Sequence, residues 1–204
     1  MRVLVTPLMA MATSAGPTTR ARALASAMAS RGWKTTLCVP EGFRGTVPAD
    51  VSLQPILTPS PLGMPRAIGR KMFPLAQKLG LNRRVPITCF DDVLKLTGNT
   101  DRRYLTRAVE QLRKIIQNGR FDAVYSEFNI ASIIAAKAEG VPVFGSMSFP
   151  TQPSFASNPS SVAGLNRVLR SLSMDPVRSP EDILLMPNVR FVPSCPELEP
   201  FPAE

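Results

Sequence analysis

The sequence contains no histidine. An imidazole accepts the proton in Ser-His-Asp hydrolysis and ligates zinc in many metal sites. The sequence therefore excludes a Ser-His-Asp triad and a zinc site with histidine ligands. Any proton transfer on this chain must use a carboxylate, a tyrosine, a lysine, a cysteine or the substrate itself. Cysteine is also scarce. Cys38, Cys89 and Cys195 lie far apart without a C-x-x-C spacing, which favours buried or incidental thiols over a disulfide framework or a zinc site.

Long apolar runs are missing as well. None of the 204 residues belongs to a stretch long enough to span a bilayer. Met1 leads directly into a predicted strand, without the apolar region of a signal peptide, and we therefore expect a cytoplasmic protein. With 44% hydrophobic residues, the chain is long enough to bury a core in one or two domains.

Acidic residues are outnumbered by basic ones, 15 to 24, which gives a net charge of +9. This balance favours anionic partners, such as phosphorylated substrates, an acidic membrane surface or nucleic acid. The stretch from Thr58 to Pro86 carries basic and large apolar side chains and no acid, which predicts one or two short amphipathic helices. They would form a solvated flap over the sheet edge, a wall of the substrate site, or a peripheral contact with a membrane surface. Nucleic acid is not favoured, because the charge is scattered and no recognised nucleic-acid module is present.

The first forty residues predict a strand, a loop, a helix and a second strand. The apolar run Arg2 to Leu8 is typical of a buried parallel strand. Pro17 suits the start of a helix, and Gly32 suits a left-handed helix end before the strand Trp33 to Val39. One apolar helix face lies between them, at Ala21, Leu24, Ala25 and Met28.

The same alternation continues along the chain. The predicted helices run from Asp101 to Asn118, ended by Gly119, and from about Ile130 to a cap at Gly140. Further strands are predicted at Val51–Leu57, Ile87–Phe90, Phe121–Ser126, Val141–Ser146 and Asn188–Val192. We therefore predict one α/β domain over residues 1–192, a Rossmann-like parallel sheet with helices on both faces. Residues 193–204 are acidic and proline-rich, and they are predicted to start an interdomain linker.

Three segments, in this order and spacing, resemble the N-terminal domain of two-Rossmann-domain (GT-B type) glycosyltransferases, in particular the UDP-glycosyltransferase and antibiotic or sterol glucosyltransferase group. The opening unit ends in Arg31-Gly32-Trp33-Lys34-Thr35-Thr36, similar to the family's RG-x-x-V-T strand. The segment FDAVYSEFNIASIIAAKAEGVPVFGS resembles its D-x-V-x-x-D…G-V-P run, and MPNVRFVPSCPELEPFP resembles the run that enters its linker.

The resemblance implies a hexose transfer from a nucleotide sugar to an acceptor hydroxyl, with this chain as the acceptor-binding half. The donor would bind a C-terminal domain that these residues do not contain, so that domain is the expected partner and the isolated chain is expected to be inactive. No metal or other cofactor is implied. The expected acceptor is a small molecule or a lipid-like compound.

The family's catalytic residues are only partly matched. The family's first loop carries a Gly-His pair whose histidine is the base that deprotonates the acceptor, and this chain has Gly16-Pro17 there. The partner aspartate of that histidine falls on Glu127, five residues after Asp122. Glu127 is therefore the candidate catalytic base or orienting residue, because a carboxylate at the end of a parallel strand is well placed for this. The alternative is that Glu127 caps the helix that starts near Asn129.

The acceptor-binding residues are expected on the same edge of the sheet, where α/β proteins hold ligands. They are Ser14 and Gly16 on the first loop, Phe128 after the predicted strand Phe121–Ser126, and Ser148 and Phe149 on the loop that follows the strand Val141–Ser146. For Ser14 and Gly16 the alternative is a tight turn that requires small residues. The alternative function is a non-catalytic, glycosyltransferase-like module that binds a hydrophobic ligand or assists another enzyme.

Overall fold

A computed structural model describes residues 1–10, 16–65, 67–69, 87–147, 162–193 and 197. Its strands form one parallel sheet in the order β3-β2-β1-β4-β5-β6. The strands are β1 (Arg2–Pro7), β2 (Lys34–Pro40), β3 (Val51–Ile56), β4 (Ala123–Glu127), β5 (Val143–Ser146) and β6 (Val189–Phe191). The order reverses between β1 and β4, as in Rossmann-like folds. The predicted fold class is confirmed.

Six helices are described, together with a 3₁₀ turn at Pro61–Gly63. They are α1 (Gly16–Ser30), α2 (Phe90–Leu96), α3 (Arg102–Gly119), α4 (Ile130–Ala138), α5 (Val162–Ser171) and α6 (Glu181–Leu184). None of the helices in the described ranges is long and apolar enough to cross a membrane.

The sheet is covered by helices on both faces, because successive strand residues point to opposite sides. On one face, strand residues such as Val5 and Leu37 pack against an alanine stripe of α1. That stripe consists of Ala21, Ala25 and Ala29, while the predicted Leu24 and Met28 are only partly buried beside it. On the other face, Leu4 and Val124 pack against α3, α4, α5 and α6. Cys38 and Cys89 are buried free thiols, as predicted.

One local prediction was wrong. Ile87–Phe90 is not a strand, because Phe90 already opens α2, whose first turn carries Asp91 and Asp92, a charge that the helix dipole favours there. Helix α3 ends at Gly119, as predicted. The left-handed residue is Arg120, at a φ of 47°, one position after Gly119. Gly32 and Gly140 do adopt the predicted positive φ, at 81° and 67°.

Several other predictions fall on residues outside the described ranges. They concern most of the stretch Thr58–Pro86, the loop after residue 147 that carries Ser148 and Phe149, and nearly all of the linker 193–204. The domain boundaries therefore remain predictions.

Candidate functional site

The carboxyl ends of β1 and β4 are fastened together at the centre of the sheet. Pro7 lies beside Glu127 in the parallel register. The backbone N–H of Leu8 donates to the carbonyl oxygen of Glu127 at 2.7 Å. The side-chain amide of Asn129 donates to the carbonyl oxygen of Pro7 at 2.9 Å. The edge that carries the candidate residues is thus held by backbone and amide hydrogen bonds.

Helix α4 is capped by Asn129 and not by the Glu127 side chain. The side-chain oxygen of Asn129 accepts from the backbone N–H of Ser132 at 3.1 Å, which is the bond that an N-cap residue makes. The hydroxyl of Ser126 accepts from the N–H of Asn129 at 3.0 Å. The N-cap hydrogen bond that the alternative assigned to Glu127 is therefore made by Asn129.

The Glu127 carboxylate is instead held by two side chains. It is 1% exposed. Its Oε1 accepts from Nε of Arg20, on the second turn of α1, at 2.7 Å. Its Oε2 accepts from the hydroxyl of Tyr125 at 2.6 Å. Tyr125 reaches Glu127 because residues two apart on a strand share a face. Burial, followed by this hydrogen bond to a carboxylate, raises the pKa of the Tyr125 phenol, so it remains a donor.

Phe128 completes the cluster in an unusual backbone conformation. Its φ is 59°, a left-handed value that is uncommon for a residue with a bulky side chain. Its ring lies 5.4 Å from the ring of Phe90 and carries the Arg20 guanidinium 5.6 Å from its centre. Phe128 is 3% exposed. It therefore forms part of the support for Arg20 in this structure.

The predicted site residues are only partly brought together. Glu127 and Phe128 are adjacent and share Arg20 as a partner. Gly16 is the first residue of α1, and a Cβ built on it would meet nothing within 4 Å, so neither space nor backbone conformation requires a glycine there. Ser14, Ser148 and Phe149 lie outside the described residues. Within the described ranges, no three side chains of Cys, Asp or Glu converge as a metal site requires.

Arg20 and Tyr125 were not predicted from the sequence. The position of Tyr125, two residues before Glu127 on the same strand face, was an available signal. Arg20 lies 107 positions from Glu127, and only the assembled sheet and helix bring the two together.

Apart from the cluster around Glu127, a group of acidic residues lies at the starts of α6 and α2. Glu181 is 4% exposed, and within the described residues its Oε1 has no hydrogen-bond partner. Burial, then the charges of Asp91 and Asp182, raise the pKa of Glu181 to about 7. This carboxyl can therefore change its charge near neutral pH, unlike an ordinary glutamate.

The sequence matches no protein-family model and no curated protein sequence. The fold, however, is similar to solved glycosyltransferases. The calicheamicin glycosyltransferase CalG4 matches with a TM-score of 0.57 over 94% of this chain and 47% of its own, at 14% identity. The spinosyn rhamnosyltransferase SpnG, complexed with spinosyn aglycone, matches with a TM-score of 0.56 over 95% of this chain and 45% of its own, at 15% identity.

The glycosyltransferase SsfS6 from Streptomyces sp. SF2575 matches with a TM-score of 0.50 over 87% of this chain and 49% of its own, at 18% identity. This chain thus spans about half the length of the solved structures that it matches. It has the fold of one half of a GT-B glycosyltransferase, as the resemblance of its three segments predicted.

Proposed function

We propose that this chain is the acceptor-binding half of a glycosyltransferase that transfers a hexose from a nucleotide sugar to an acceptor hydroxyl. The observation that carries the proposal is the fold, which follows half of a two-domain glycosyltransferase over nearly the whole chain. A buried carboxylate, Glu127, lies at the carboxyl end of the central strand β4, on the edge where open α/β sheets bind ligands.

In this proposal Glu127 orients its neighbours and does not act as the general base. Both of its oxygens already accept short hydrogen bonds, from Arg20 and from Tyr125. The arginine itself cannot accept a proton. The acceptor proton would then pass to a phosphate oxygen of the leaving nucleoside diphosphate or to a group on the donor-binding half.

The reaction is tested on the natural gene product that contains these residues, with any further domain included. The protein is incubated with UDP-glucose or dTDP-glucose and with spinosyn aglycone as a probe acceptor, and the released nucleoside diphosphate is measured. We expect acceptor-dependent release with one of the two sugars. A gene product that has a second Rossmann half and releases no nucleoside diphosphate under these conditions contradicts the proposal.

The role of Glu127 is tested with Glu127→Gln in the same assay. A general base contributes about 10²–10⁴-fold to rate, so its loss would be large and would remove the acid limb of the pH–rate profile. For an orienting carboxylate, we expect a loss of less than about tenfold and an unchanged profile, because the carbonyl oxygen of glutamine still accepts from Arg20, although its –NH₂ group cannot accept from the Tyr125 hydroxyl.

The matched control is Glu139→Gln. Glu139 also pairs with an arginine, Arg113, at 2.5 Å, but it lies at the end of α4, away from β4. The substitution Glu139→Gln removes the same charge as Glu127→Gln and should leave the rate of nucleoside diphosphate release unchanged. A loss of about 10²-fold or more in Glu127→Gln alone, with the acid limb gone, would show that Glu127 is the base.

The second candidate is a non-catalytic module that binds a hydrophobic ligand. It is favoured by one specific observation, the pairing of Glu127 with an arginine that cannot exchange a proton. The two functions are separated by the same assay. The module would bind the aglycone in calorimetry, and the complete gene product would release no nucleoside diphosphate.

A further inference from the structure

Arg20 presents an edge that the fold does not use. Its Nε donates to Glu127, and among the described residues its two terminal nitrogens make no hydrogen bond or ion pair. The Arg20 side chain is 47% exposed, whereas the carboxylate beneath it is 1% exposed. The guanidinium is therefore anchored on its inner side and open on its outer side.

The anchoring also fixes the direction of that open edge. Glu127 accepts along the Nε–H bond, and the central carbon of the guanidinium lies over the ring of Phe128, 5.6 Å from the ring centre. A planar guanidinium held by one N–H and by contact with a ring has less freedom of rotation than a free one. Its remaining N–H groups form the two-pronged donor that fits a carboxylate or a phosphate.

The setting of Arg20 carries two features that a simple surface ion pair does not need. The partner carboxylate is fully buried, which is costly for a charge that could remain in water. The supporting residue Phe128 has a positive φ, a strained conformation that is frequently found at ligand sites. Both features converge on one guanidinium at the carboxyl end of β4.

The electrostatic surroundings are compatible with an anion. Arg20 lies in the second turn of α1, near the positive end of the helix dipole, and the first turn of α1 contains no acidic residue. The whole chain has a net charge of +9. An incoming oxyanion would therefore meet one partly compensated cation, further helped by the helix end and the general positive field.

We infer that Arg20 is a ligand-recognition residue that binds an anionic oxygen group, a carboxylate or a phosphate, with Glu127 and Phe128 as its positioning residues. This inference rests on the proposed function, because it names the chemical class of a ligand of that same site. The anionic group belongs either to the acceptor, as a carboxylate, or to the nucleotide sugar, as its diphosphate.

The test uses the 204-residue chain labelled with ¹⁵N and follows the Nε–H resonance of Arg20. Sodium benzoate, inorganic phosphate and UDP are titrated separately at constant ionic strength. We expect a saturable shift with at least one of them. Benzoate would identify a carboxylate on the acceptor, whereas phosphate together with UDP would identify the diphosphate. This titration needs no sugar transfer, so its failure is distinguishable from failure of the proposed function.

Two variants test whether the Arg20 guanidinium binds the anion. The double variant R20Q/E127Q removes the guanidinium without leaving a buried carboxylate alone, and we expect it to bind the effective anion about 10-fold to 100-fold more weakly, measured by calorimetry. The control is R22Q. Arg22 lies on the same helix and is partly exposed, and it donates to the carbonyl oxygen of Thr46. Absence of a saturable shift with all three anions, or an equal loss of binding in R22Q, would overturn the inference.

Discussion

The buried glutamates Glu127 and Glu181 differ mainly in the side chains that surround them. Glu127 and Glu181 are 1% and 4% exposed, so both have lost nearly all contact with water. Glu127 accepts hydrogen bonds from a guanidinium and a phenol. Glu181 faces the acids Asp91 and Asp182, and burial together with those charges raises its pKa to about 7. Equal burial therefore leaves one carboxylate paired with two donors, while the acidic neighbours of the other help to raise its pKa.

The comparison separates two uses of a buried carboxylate. At the end of β4 the carboxylate of Glu127 holds Arg20 in place. At the start of α6, burial and the charges of Asp91 and Asp182 raise the pKa of Glu181, so its charge is lost easily. The first arrangement suits recognition of a ligand, while the second makes the stability of the fold depend on pH.

The largest effect is expected for Arg20→Gln. This change leaves the Glu127 carboxylate buried with Tyr125 as its one remaining side-chain partner among the described residues. Breaking a buried ion pair costs about 3–5 kcal/mol, and the lower end applies here because Arg20 is half exposed. We expect the free energy of unfolding, measured in urea, to fall by about 3 kcal/mol.

The double variant R20Q/E127Q sharpens this result. It removes both charges together, so we expect it to recover more than half of the stability lost in Arg20→Gln. Equal stabilities for the single and the double variant would mean that the buried charge of Glu127 is not the cause of the loss.

The next largest effect concerns Glu181 and pH. Its pKa is raised in the folded chain, so the folded state binds the proton more tightly than the unfolded state does. The resulting stability is fully present below about pH 4.5, the ordinary value, and is lost as the pH rises through about 7. The difference corresponds to about 3 kcal/mol, from 1.36 kcal/mol per pKa unit.

The variant Glu181→Gln removes this titration. We therefore expect its free energy of unfolding to fall less than that of the parent chain between pH 5 and pH 8. The control is Glu139→Gln, because hydrogen bonds from Arg113 and Gln117 lower the pKa of Glu139, and it titrates below this window. Parallel stability curves for the parent and Glu181→Gln would refute the raised pKa.

The sequence predicted the sheet because each strand is a short apolar run between helices with a clear apolar face. The segment Ala123–Glu127 is buried at every position, which is what a strand covered on both faces requires. The short helix α2 escaped prediction because seven residues span too little length for a helical period to show. The left-handed conformation of Arg120 was not predicted, because a glycine, such as the neighbouring Gly119, usually takes that conformation at a helix end.

The sequence predicted individual residues of the site, such as Glu127, but not the partners with which they interact. The end of a parallel strand pointed to Glu127, and the order of the family-like segments pointed to the same residue. Its partner Arg20 lies on another element, and no local pattern around Arg20 distinguishes it from Arg22. Long-range ion pairs follow from how helices pack on the sheet, which periodicity does not specify.

The smallest effect is expected for Tyr125→Phe, which tests whether Glu127 depends on one partner or on two. The change removes the 2.6 Å hydrogen bond to Oε2 of Glu127 and keeps the ring. A hydrogen bond to a charged group contributes about 1.5–3 kcal/mol, so we expect a loss near 1.5 kcal/mol in urea unfolding, smaller than for Arg20→Gln. The Nε–H resonance of Arg20 should stay in place, since Oε1 is untouched. A loss larger than that of Arg20→Gln would mean that the phenol, and not the guanidinium, is the main partner that stabilises the buried charge.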